Sequence, residues 1–215
     1  MYKKKPFFIV FEGVEGCGKS FQSKKLFINL KKKKIKSLLT REPGGTKSAE
    51  LIRNLILKDY FNKNNKEKFD RYTDTLLYLA ARNEHVKNKI KPALKNKEIV
   101  ICDRFTDSTL AYQVYGKKVN LNFINNAHKY ILNGLKPNIT FILNVSANAS
   151  RKRLIKRRTK NRYDNFGQSF YTKAQKSFLK IAKGKNNYFV LNSSSNDQSL
   201  EKKIFKIVCE HLKII

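Results

Sequence analysis

The chain alternates short apolar runs with longer segments in which apolar and polar residues recur at helical spacing. Runs of four to eight apolar residues rich in β-branched and aromatic side chains are typical of buried strands. The predicted strands cover residues 7–11, 35–40, 98–103, 138–145 and 188–192. Apolar residues spaced three or four apart predict helices between and after them. The predicted helices cover residues 19–33, a segment around 51–56, 70–97, 108–115, 121–135, 168–183 and 200–212.

This alternation of strands and helices is typical of βαβ units. It predicts an α/β protein with a five-stranded parallel sheet flanked by helices on both faces. No internal repeat or linker divides the chain, so we expect one domain over residues 1–215. Ligands of such sheets bind beyond the carboxyl ends of the strands. Candidate chemistry is therefore expected in the residues that directly follow each predicted strand.

A glycine-rich loop follows the first predicted strand. Residues 13–20 read GVEGCGKS and match the pattern G-x-x-x-x-G-K-[ST] ahead of a predicted helix. The glycines allow backbone N–H groups to face phosphate oxygens, the lysine reaches the β- and γ-phosphates, and the serine hydroxyl is a Mg²⁺ ligand. The loop predicts an ATP site with Mg²⁺ as cofactor. Its candidate residues are Gly13, Val14, Glu15, Gly16, Cys17, Gly18, Lys19, Ser20 and Phe21.

Three further motifs indicate the phosphate acceptor. TREPGGT (residues 40–46) follows the second predicted strand, LLYLAARNEH (76–85) lies on the long predicted helix, and DRFTDSTLAYQ (103–113) follows the third strand. With the glycine loop, they make the chain resemble the thymidylate kinases from about residue 8 to its end. The resemblance implies a P-loop NTPase fold with a small mobile lid, and transfer of the γ-phosphate of ATP to dTMP in dTTP biosynthesis. It also implies a homodimer.

The long predicted helix carries a candidate base-binding pair. Tyr78 and Arg82 are four residues apart, so they share one helical face. An aromatic ring beside a guanidinium can stack on a base and donate to its carbonyl. The resemblance assigns stacking on thymine to Tyr78 and a hydrogen bond to O4 to Arg82. Ordinary helix packing is the structural alternative for this pair.

Charged residues after the second and third strands are candidates for phosphate and metal binding. Asp103 ends an apolar strand, where an acidic residue serves Mg²⁺ in this class of fold. The planar fork of Arg104 suits the acceptor 5′-phosphate. Arg41 is a second candidate, and an ion pair with Glu42 that orders the loop is its alternative. Pro43 would fix a rigid turn under the acceptor.

The resemblance supplies the remaining acceptor residues. It places Ser108, Tyr112 and Gln113 on the thymine and deoxyribose side, with Tyr112 against C2′, where a ribose hydroxyl would clash. It places Glu15 at the deoxyribose 3′-hydroxyl, a donor that suits a carboxylate. Some family members carry an arginine after this acidic position, where this chain has Gly16.

An arginine-rich segment follows the fourth predicted strand. Its arginines are Arg151, Arg153, Arg157, Arg158 and Arg162. Like charges four apart destabilise a helix slightly, so an anion is expected to compensate them. The resemblance makes residues of about 147–166 a lid over ATP, with Arg153, Arg157 and Arg158 as candidate catalytic residues beside Lys19 and Arg104. A solvated basic helix is the alternative.

The chain also departs from the family pattern. Asn144 and Asn192 end the fourth and fifth strands where aspartate is usual, and Lys173 and Gln175 stand where two arginines are common. The three histidines have no metal-binding spacing and are interpreted as surface or packing residues.

The charge of the chain is strongly positive: 47 basic and 16 acidic residues give +31. A basic surface is typical of nucleic-acid binding, but these lysines are spread over every segment, which favours the coding bias of an AT-rich genome. No apolar run spans a bilayer, and the three dispersed cysteines suggest a reduced, cytoplasmic protein. A deoxynucleoside kinase acting on thymidine and a basic P-loop protein that binds nucleic acid are the alternative functions.

Overall fold

The computed structural model describes residues 5–58, 68–156, 167–195 and 197–214. These residues form a five-stranded parallel sheet in the order β2-β3-β1-β4-β5. The strands are β1 (Phe7–Glu12), β2 (Ser37–Arg41), β3 (Ile99–Asp103), β4 (Ile139–Asn144) and β5 (Tyr188–Asn192). The predicted α/β fold is thereby confirmed, while the single domain spanning residues 1–215 stays a prediction.

Except for the helix in the arginine-rich segment, which the periodicity did not predict, the helices lie where they were predicted, with small differences at their ends. The described helices are α1 (Lys19–Lys32), α2 (Lys47–Leu57), α3 (Arg71–His85), α4 (Lys91–Lys95), α5 (Thr106–Thr109), α6 (Leu121–Leu132), α7 (Ala147–Ile155), α8 (Gln168–Ala182) and α9 (Gln198–Leu212). Two π-helical turns, Val86–Ile90 and Leu110–Gly116, join α3 to α4 and extend α5. None of the helices in the described ranges is long and apolar enough to cross a membrane.

The central strands are buried on both faces, which explains their almost continuously apolar sequences. In β1, Ile9 and Phe11 pack into one hydrophobic cluster, whereas Phe8 and Val10 pack into another. Side chains that alternate between two covered faces are expected of a strand in the middle of a parallel sheet. The continuous apolar run is therefore explained by the position of β1 in the middle of the sheet.

The second strand begins later than predicted. Ile35 and the residue after it lie between the turn that ends α1 and the start of the strand, and the Ile35 amide donates to the carbonyl of Leu30 at 3.0 Å. Lys34 adopts a φ of 57° in this turn. The strand then runs to Arg41, one residue beyond the predicted end.

The register of three strands brings their carboxyl ends together. Asp103 of β3 pairs with Phe11 of β1 on one side and with Arg41 of β2 on the other. The pairing continues past the strands, since the Arg104 amide donates to the Phe11 carbonyl and the Glu42 amide donates to the Asp103 carbonyl, both at 2.9 Å. The glycine loop and the segments after β2 and β3 consequently start side by side.

The predicted lid is described only in part. Helix α7 covers its first half, and Ser146 caps this helix by accepting a hydrogen bond from the Ala149 amide at 3.3 Å. Arg157, Arg158 and Arg162, with the rest of the predicted lid, lie outside the described residues.

Candidate active site

The glycine loop forms a cradle for an anion. Gly13, Gly16 and Gly18 have φ values of 137°, 70° and 96°, a region that L side chains rarely adopt. Helix α1 begins directly after the loop, and within the described residues no side chain caps its first turn. Its leading N–H groups thus point toward the loop without side-chain partners, as an anion site requires.

Lys19 lies folded into this loop. Its Nζ donates to the carbonyl oxygens of Gly13 at 3.0 Å and Val14 at 2.8 Å. The side chain is nearly buried, so its ammonium group is already held beside the cradle. A phosphate placed in the cradle would compete with these carbonyls for the same donor.

Ser20 and Asp103, the two predicted metal ligands, are in direct contact. The Ser20 hydroxyl donates to the Asp103 carboxylate. Mg²⁺ is commonly held in proteins by one or two oxygen ligands and completes its shell with water and substrate phosphates. The described ranges contain no cluster of three or more His, Cys, Asp or Glu side chains that could hold a metal ion by itself. The donor set at Ser20 and Asp103 therefore fits a Mg²⁺ ion that arrives with a nucleotide.

A cavity of about 490 Å³ opens beside the loop and brings most of the predicted site together. The predicted residues that line it are Glu15, Gly16, Gly18, Lys19, Ser20, Phe21, Arg41, Pro43, Tyr78, Arg82, Asp103, Arg104, Ser108, Tyr112, Gln113 and Arg153. Gly13, Val14 and Cys17 are also part of the loop, but they are buried and do not line the cavity. Sequence reasoning missed several wall residues: Arg53, Leu57, Phe105, Thr109, Leu154 and Lys156.

Arg104 links the two halves of this cavity. Its Nη1 donates to the Gly13 carbonyl and to the Ser108 hydroxyl, both at 3.0 Å, and its Nη2 donates to Glu15 Oε1 at 2.8 Å. Burial alone would lower the pKa of Arg104, but the negative charge of Glu15 outweighs burial and raises it well above its usual value. The guanidinium is consequently a fixed positive charge next to the phosphate loop.

Glu15 points away from the centre of the loop. Its Oε2 accepts a hydrogen bond from the Tyr112 hydroxyl at 2.6 Å, while Oε1 accepts the bond from Arg104. Burial favours the protonated form, yet the charges of Arg104 and then Lys19 prevail and lower the pKa of Glu15. The carboxylate does not oppose the anion cradle, because it is turned toward Tyr112 and paired with Arg104.

Glu12 organises the segment that carries Arg104, a role that sequence analysis missed. Its Oε1 accepts from the Phe105 amide at 2.7 Å and from the Ser108 amide at 3.1 Å, and its Oε2 accepts from the Ser108 hydroxyl at 2.6 Å. Burial, and then the charge of Asp107, raise the pKa of Glu12 to about 8. The end of β1 thereby leads into the glycine loop and also fixes the start of α5 through hydrogen bonds.

The predicted alternative for Arg41, an ion pair with Glu42, is wrong. Arg41 pairs with Glu50 at 3.3 Å across its exposed side, while Glu42 turns inward and pairs with Arg82 at 2.7 Å. Arg41 and Glu42 point in opposite directions because successive side chains of an extended strand alternate between its two faces, and the pairing with β3 continues to Glu42. Arg41 thus remains on the cavity wall with its guanidinium largely exposed.

Sequence analysis did not identify Arg53 as a cavity residue, although its spacing from Glu50 was visible in the sequence. It lies three residues after Glu50 on α2, and its Nη1 donates to the Pro43 carbonyl at 2.6 Å. The peptide bond between Glu42 and Pro43 is cis. Burial, and then the charge of Arg41, lower the pKa of Arg53. The spacing of Glu50 and Arg53 indicates a shared helical face, but not the loop against which it packs.

Two histidines lie close to Glu42 and Arg82. His85 is fully buried between Glu42 and Thr40, with its Nδ1 at 3.1 Å from Glu42 Oε1. His128 Nε2 lies 2.7 Å from Arg82 Nη1. Burial, and then the charge of Arg82, lower the pKa of His128 from 6.5 to about 3, so its imidazole is neutral. Both are buried within a polar network, a set of partners that the sequence did not indicate, and His211 is exposed.

Helix α7 rests on the glycine loop. The Ser150 hydroxyl donates to the Glu15 carbonyl at 2.8 Å, and Arg153 Nη1 donates to the Gly16 carbonyl at 3.1 Å. A Cβ atom at Gly16 would lie 2.8 Å from the Ser150 carbonyl oxygen, too close for any side chain. This contact gives the physical reason for glycine at this position.

Arg153 lines the cavity, but its guanidinium is held by backbone carbonyls. Besides Gly16 it donates to the carbonyls of Ser193 at 2.9 Å and Ser194 at 2.5 Å. These bonds fasten α7 to the loop after β5. A catalytic role for Arg153 stays a prediction, and it would require the side chain to leave these carbonyls.

The departures from the family pattern at Asn144 and Gln175 occur together in space. Gln175 Nε2 donates to Asn144 Oδ1 and, at 2.8 Å, to the Val145 carbonyl. A pair of neutral amides therefore stands where aspartate and arginine are expected. The two changes compensate each other, since neither leaves an unpaired charge at the end of β4.

A family model, curated relatives and a solved structure all match this chain to the same family. The sequence model of the family "Thymidylate kinase" matches residues 11–204. A thymidylate kinase of Prochlorococcus marinus (strain AS9601) is 42% identical over 202 residues, which are 92% of each chain. One from Wolbachia sp. subsp. Brugia malayi (strain TRS) is 44% identical over 179 residues, 81% of this chain and 80% of that protein. The crystal structure of thymidylate kinase from Ehrlichia chaffeensis superposes with a TM-score of 0.72 at 30% identity, covering 95% of this chain and 99% of the other.

The neutral state of His128 predicts a loss of stability in acid. Below pH 6.5 the unfolded chain binds a proton that the folded chain excludes, so the free energy of unfolding falls by about 1.4 kcal/mol per pH unit until the pH approaches 3. Denaturant unfolding at pH 7 and pH 5 should therefore show a loss about 2 kcal/mol larger in the wild type than in His128→Gln. The raised pKa of Glu12 makes the free energy of unfolding change with pH in the opposite direction. Glu12 is present in both proteins, so its contribution cancels from the comparison. Equal losses in the two proteins would contradict the neutral imidazole.

Proposed function

The chain belongs to the thymidylate kinase family, and we propose that it transfers the γ-phosphate of ATP to dTMP, giving dTDP and ADP. The observation that carries this proposal is a single cavity that joins the phosphate loop to Arg104, Tyr78 and Arg82. One side of this cavity suits a nucleoside triphosphate. The other side offers a guanidinium for a phosphate and an aromatic ring for a base.

The donor half of the reaction uses the loop and Lys19. The N–H groups of the loop and of the first turn of α1 would bind the β- and γ-phosphates. Lys19 would exchange the carbonyls of Gly13 and Val14 for phosphate oxygens, a short movement because Nζ already lies beside the loop. A Mg²⁺ ion bound with ATP would be held by Ser20 and Asp103 and would neutralise phosphate charge.

The acceptor half positions a nucleophile that is already charged. A phosphate monoester has a second pKa of about 6, so the 5′-phosphate of dTMP is mostly dianionic at neutral pH. One of its oxygens attacks the γ-phosphorus as the bond to the β-phosphate oxygen breaks, and ADP leaves. Arg104 and Arg41 would bring the two anions together, so positioning and charge neutralisation supply the catalysis without a general base.

The base would bind between Tyr78, Arg82 and Gln113. Tyr78 is half-buried on the cavity wall, where its ring can stack on a pyrimidine. Gln113 is almost completely buried, and among the described residues its Nε2 has no hydrogen-bond partner. A buried amide donor of this kind is costly unless a ligand satisfies it, which supports a role in binding the base.

The sugar would bind against Glu15 and Tyr112. The ring of Tyr112 is fixed by its bond to Glu15 and by Phe170, whose ring centroid lies 5.8 Å away. A rigid ring at C2′ would exclude a ribose hydroxyl. Glu15 retains lone pairs that can accept the 3′-hydroxyl in addition to its two protein donors.

The alternative functions are less well supported. Thymidine lacks the phosphate that Arg104 and Arg41 would bind, and the comparisons do not favour a nucleic-acid-binding protein. The cytoplasmic location and the homodimer implied by the resemblance stay predictions.

An acceptor panel tests the proposed function. With ATP and Mg²⁺ present, a coupled assay should detect ADP on addition of dTMP and almost none on addition of thymidine. Lys19→Ala should remove nearly all turnover, because the transferring phosphoryl group loses a cation that is held beside the glycine loop. Circular dichroism checks that this variant is folded. The absence of ADP with dTMP and wild-type protein would refute the proposal.

Glu15→Gln tests the placement of this side chain on the acceptor side. The neutral amide breaks the ion pair with Arg104, so the KM for dTMP should rise about tenfold or more while the KM for ATP changes little. Steady-state kinetics with each substrate varied in turn measures both constants. Comparable increases for ATP and dTMP would count against the assignment.

A further inference from the structure

Arg82 is held by four partners from three separate parts of the chain. Its Nε donates to Glu42 Oε2 at 2.7 Å, after β2. Its Nη1 donates to the Thr109 hydroxyl on α5 and to His128 Nε2 on α6, both at 2.7 Å. Its Nη2 donates to the Phe105 carbonyl at 2.8 Å.

These partners leave one donor of Arg82 for a ligand. A guanidinium has five N–H groups in one plane, and four of them are bound to the described residues above. The fifth is the second hydrogen of Nη2. Because Arg82 lines the cavity although only 3% of its side chain is exposed, this hydrogen is the part of Arg82 that a base can use.

The anchors also fix the direction of that hydrogen. Glu42 is itself held by His85, whose Nδ1 lies 3.1 Å from Oε1, and the pKa of Glu42 is lowered because Arg82 and His85 overcome the effect of burial. His128 can accept from Arg82 only through an unprotonated Nε2, so its hydrogen lies on Nδ1. The guanidinium can neither rotate nor exchange donors without leaving a buried group unpaired.

We propose that His128 and Glu42 are positioning residues that set the base specificity of the enzyme, because they fix Arg82 with a single N–H directed at the base. The inference rests on the proposed function and deepens it. A fixed donor accepts a pyrimidine with a carbonyl oxygen at position 4 and rejects one with an amino group there, since two donors would face each other. A site built around one fixed hydrogen bond discriminates strongly against an analogue that cannot complete it.

His128 offers a matched pair of variants. Glutamine extends about as far as histidine and supplies an acceptor oxygen, whereas methionine has similar length but is only a weak acceptor. His211→Gln, at an exposed position on α9, serves as the control. Thr109→Val removes the other acceptor of Nη1 with little change in volume and provides a second test if His128→Met does not fold. Thermal unfolding of each variant establishes which proteins are comparable.

The experiment compares dTMP, dUMP and dCMP as acceptors at fixed ATP and Mg²⁺. In His128→Met or Thr109→Val, kcat/KM for dTMP and dUMP should fall about tenfold together, since both have a carbonyl at position 4, and discrimination against dCMP should fall by a similar factor. The KM for ATP should stay within about twofold, as expected for a loss confined to the base. His128→Gln should behave like the wild type.

Three results would overturn the inference. One is unchanged discrimination between dTMP and dCMP in folded His128→Met and Thr109→Val. Another is a His128→Gln variant as defective as His128→Met, and the third is an equal loss for ATP and dTMP, because both would indicate a general structural role. Calorimetric binding of dTMP and dCMP gives the same comparison without turnover. An inactive wild type that still prefers dTMP in binding would refute the proposed function while supporting this inference.

Discussion

The parallel register of β1, β3 and β2 is the constraint on which the site depends. Asp103 pairs with Phe11 and Arg41, so the residues that follow these strands begin level with one another. Because successive side chains of a strand point to opposite faces, a slip of one residue would turn Asp103 away from Ser20. The strands are buried on both faces by two hydrophobic clusters, which fixes this register through packing that lies far from the chemistry.

Buried carboxylates at this edge hold two of the cations that line the cavity. Glu15 pairs with Arg104, and Glu42 pairs with Arg82, each within 2.8 Å. Buried ion pairs contribute little net stability, because desolvation offsets their attraction, but they restrict geometry strongly. In a chain of charge +31, Arg82 and Arg104 are held in place by buried acidic partners, whereas Lys19 is held by backbone carbonyls. The few acidic residues thus determine where two of the many cations are fixed on the cavity wall.

The sequence predicted the fold, the family and most of the cavity wall because those signals are local. Strand runs, helical periodicity and the spacing within GVEGCGKS are each contained in a few consecutive residues. Glu12 and His128 were missed because their partners, Ser108 and Arg82, are distant along the chain. The true partner of Arg41 depended on which way Glu42 turned, which only the packed structure decides. Hydrogen-bond partners from distant segments are determined by how the chain packs, so a motif of consecutive residues does not predict them.

The contact between Gly16 and Ser150 has a consequence for how such a sequence can change. Any side chain at position 16 meets the backbone of α7, so an arginine there could be accommodated only if this helix were displaced or rebuilt. Conversely, a chain with α7 docked by Ser150 and Arg153 requires glycine at that position. The two arrangements are alternative solutions to one packing problem, and the intermediate with both features is sterically forbidden. A lineage would pass between them only through coordinated substitutions in the loop and the helix, so these positions are expected to exchange as a unit.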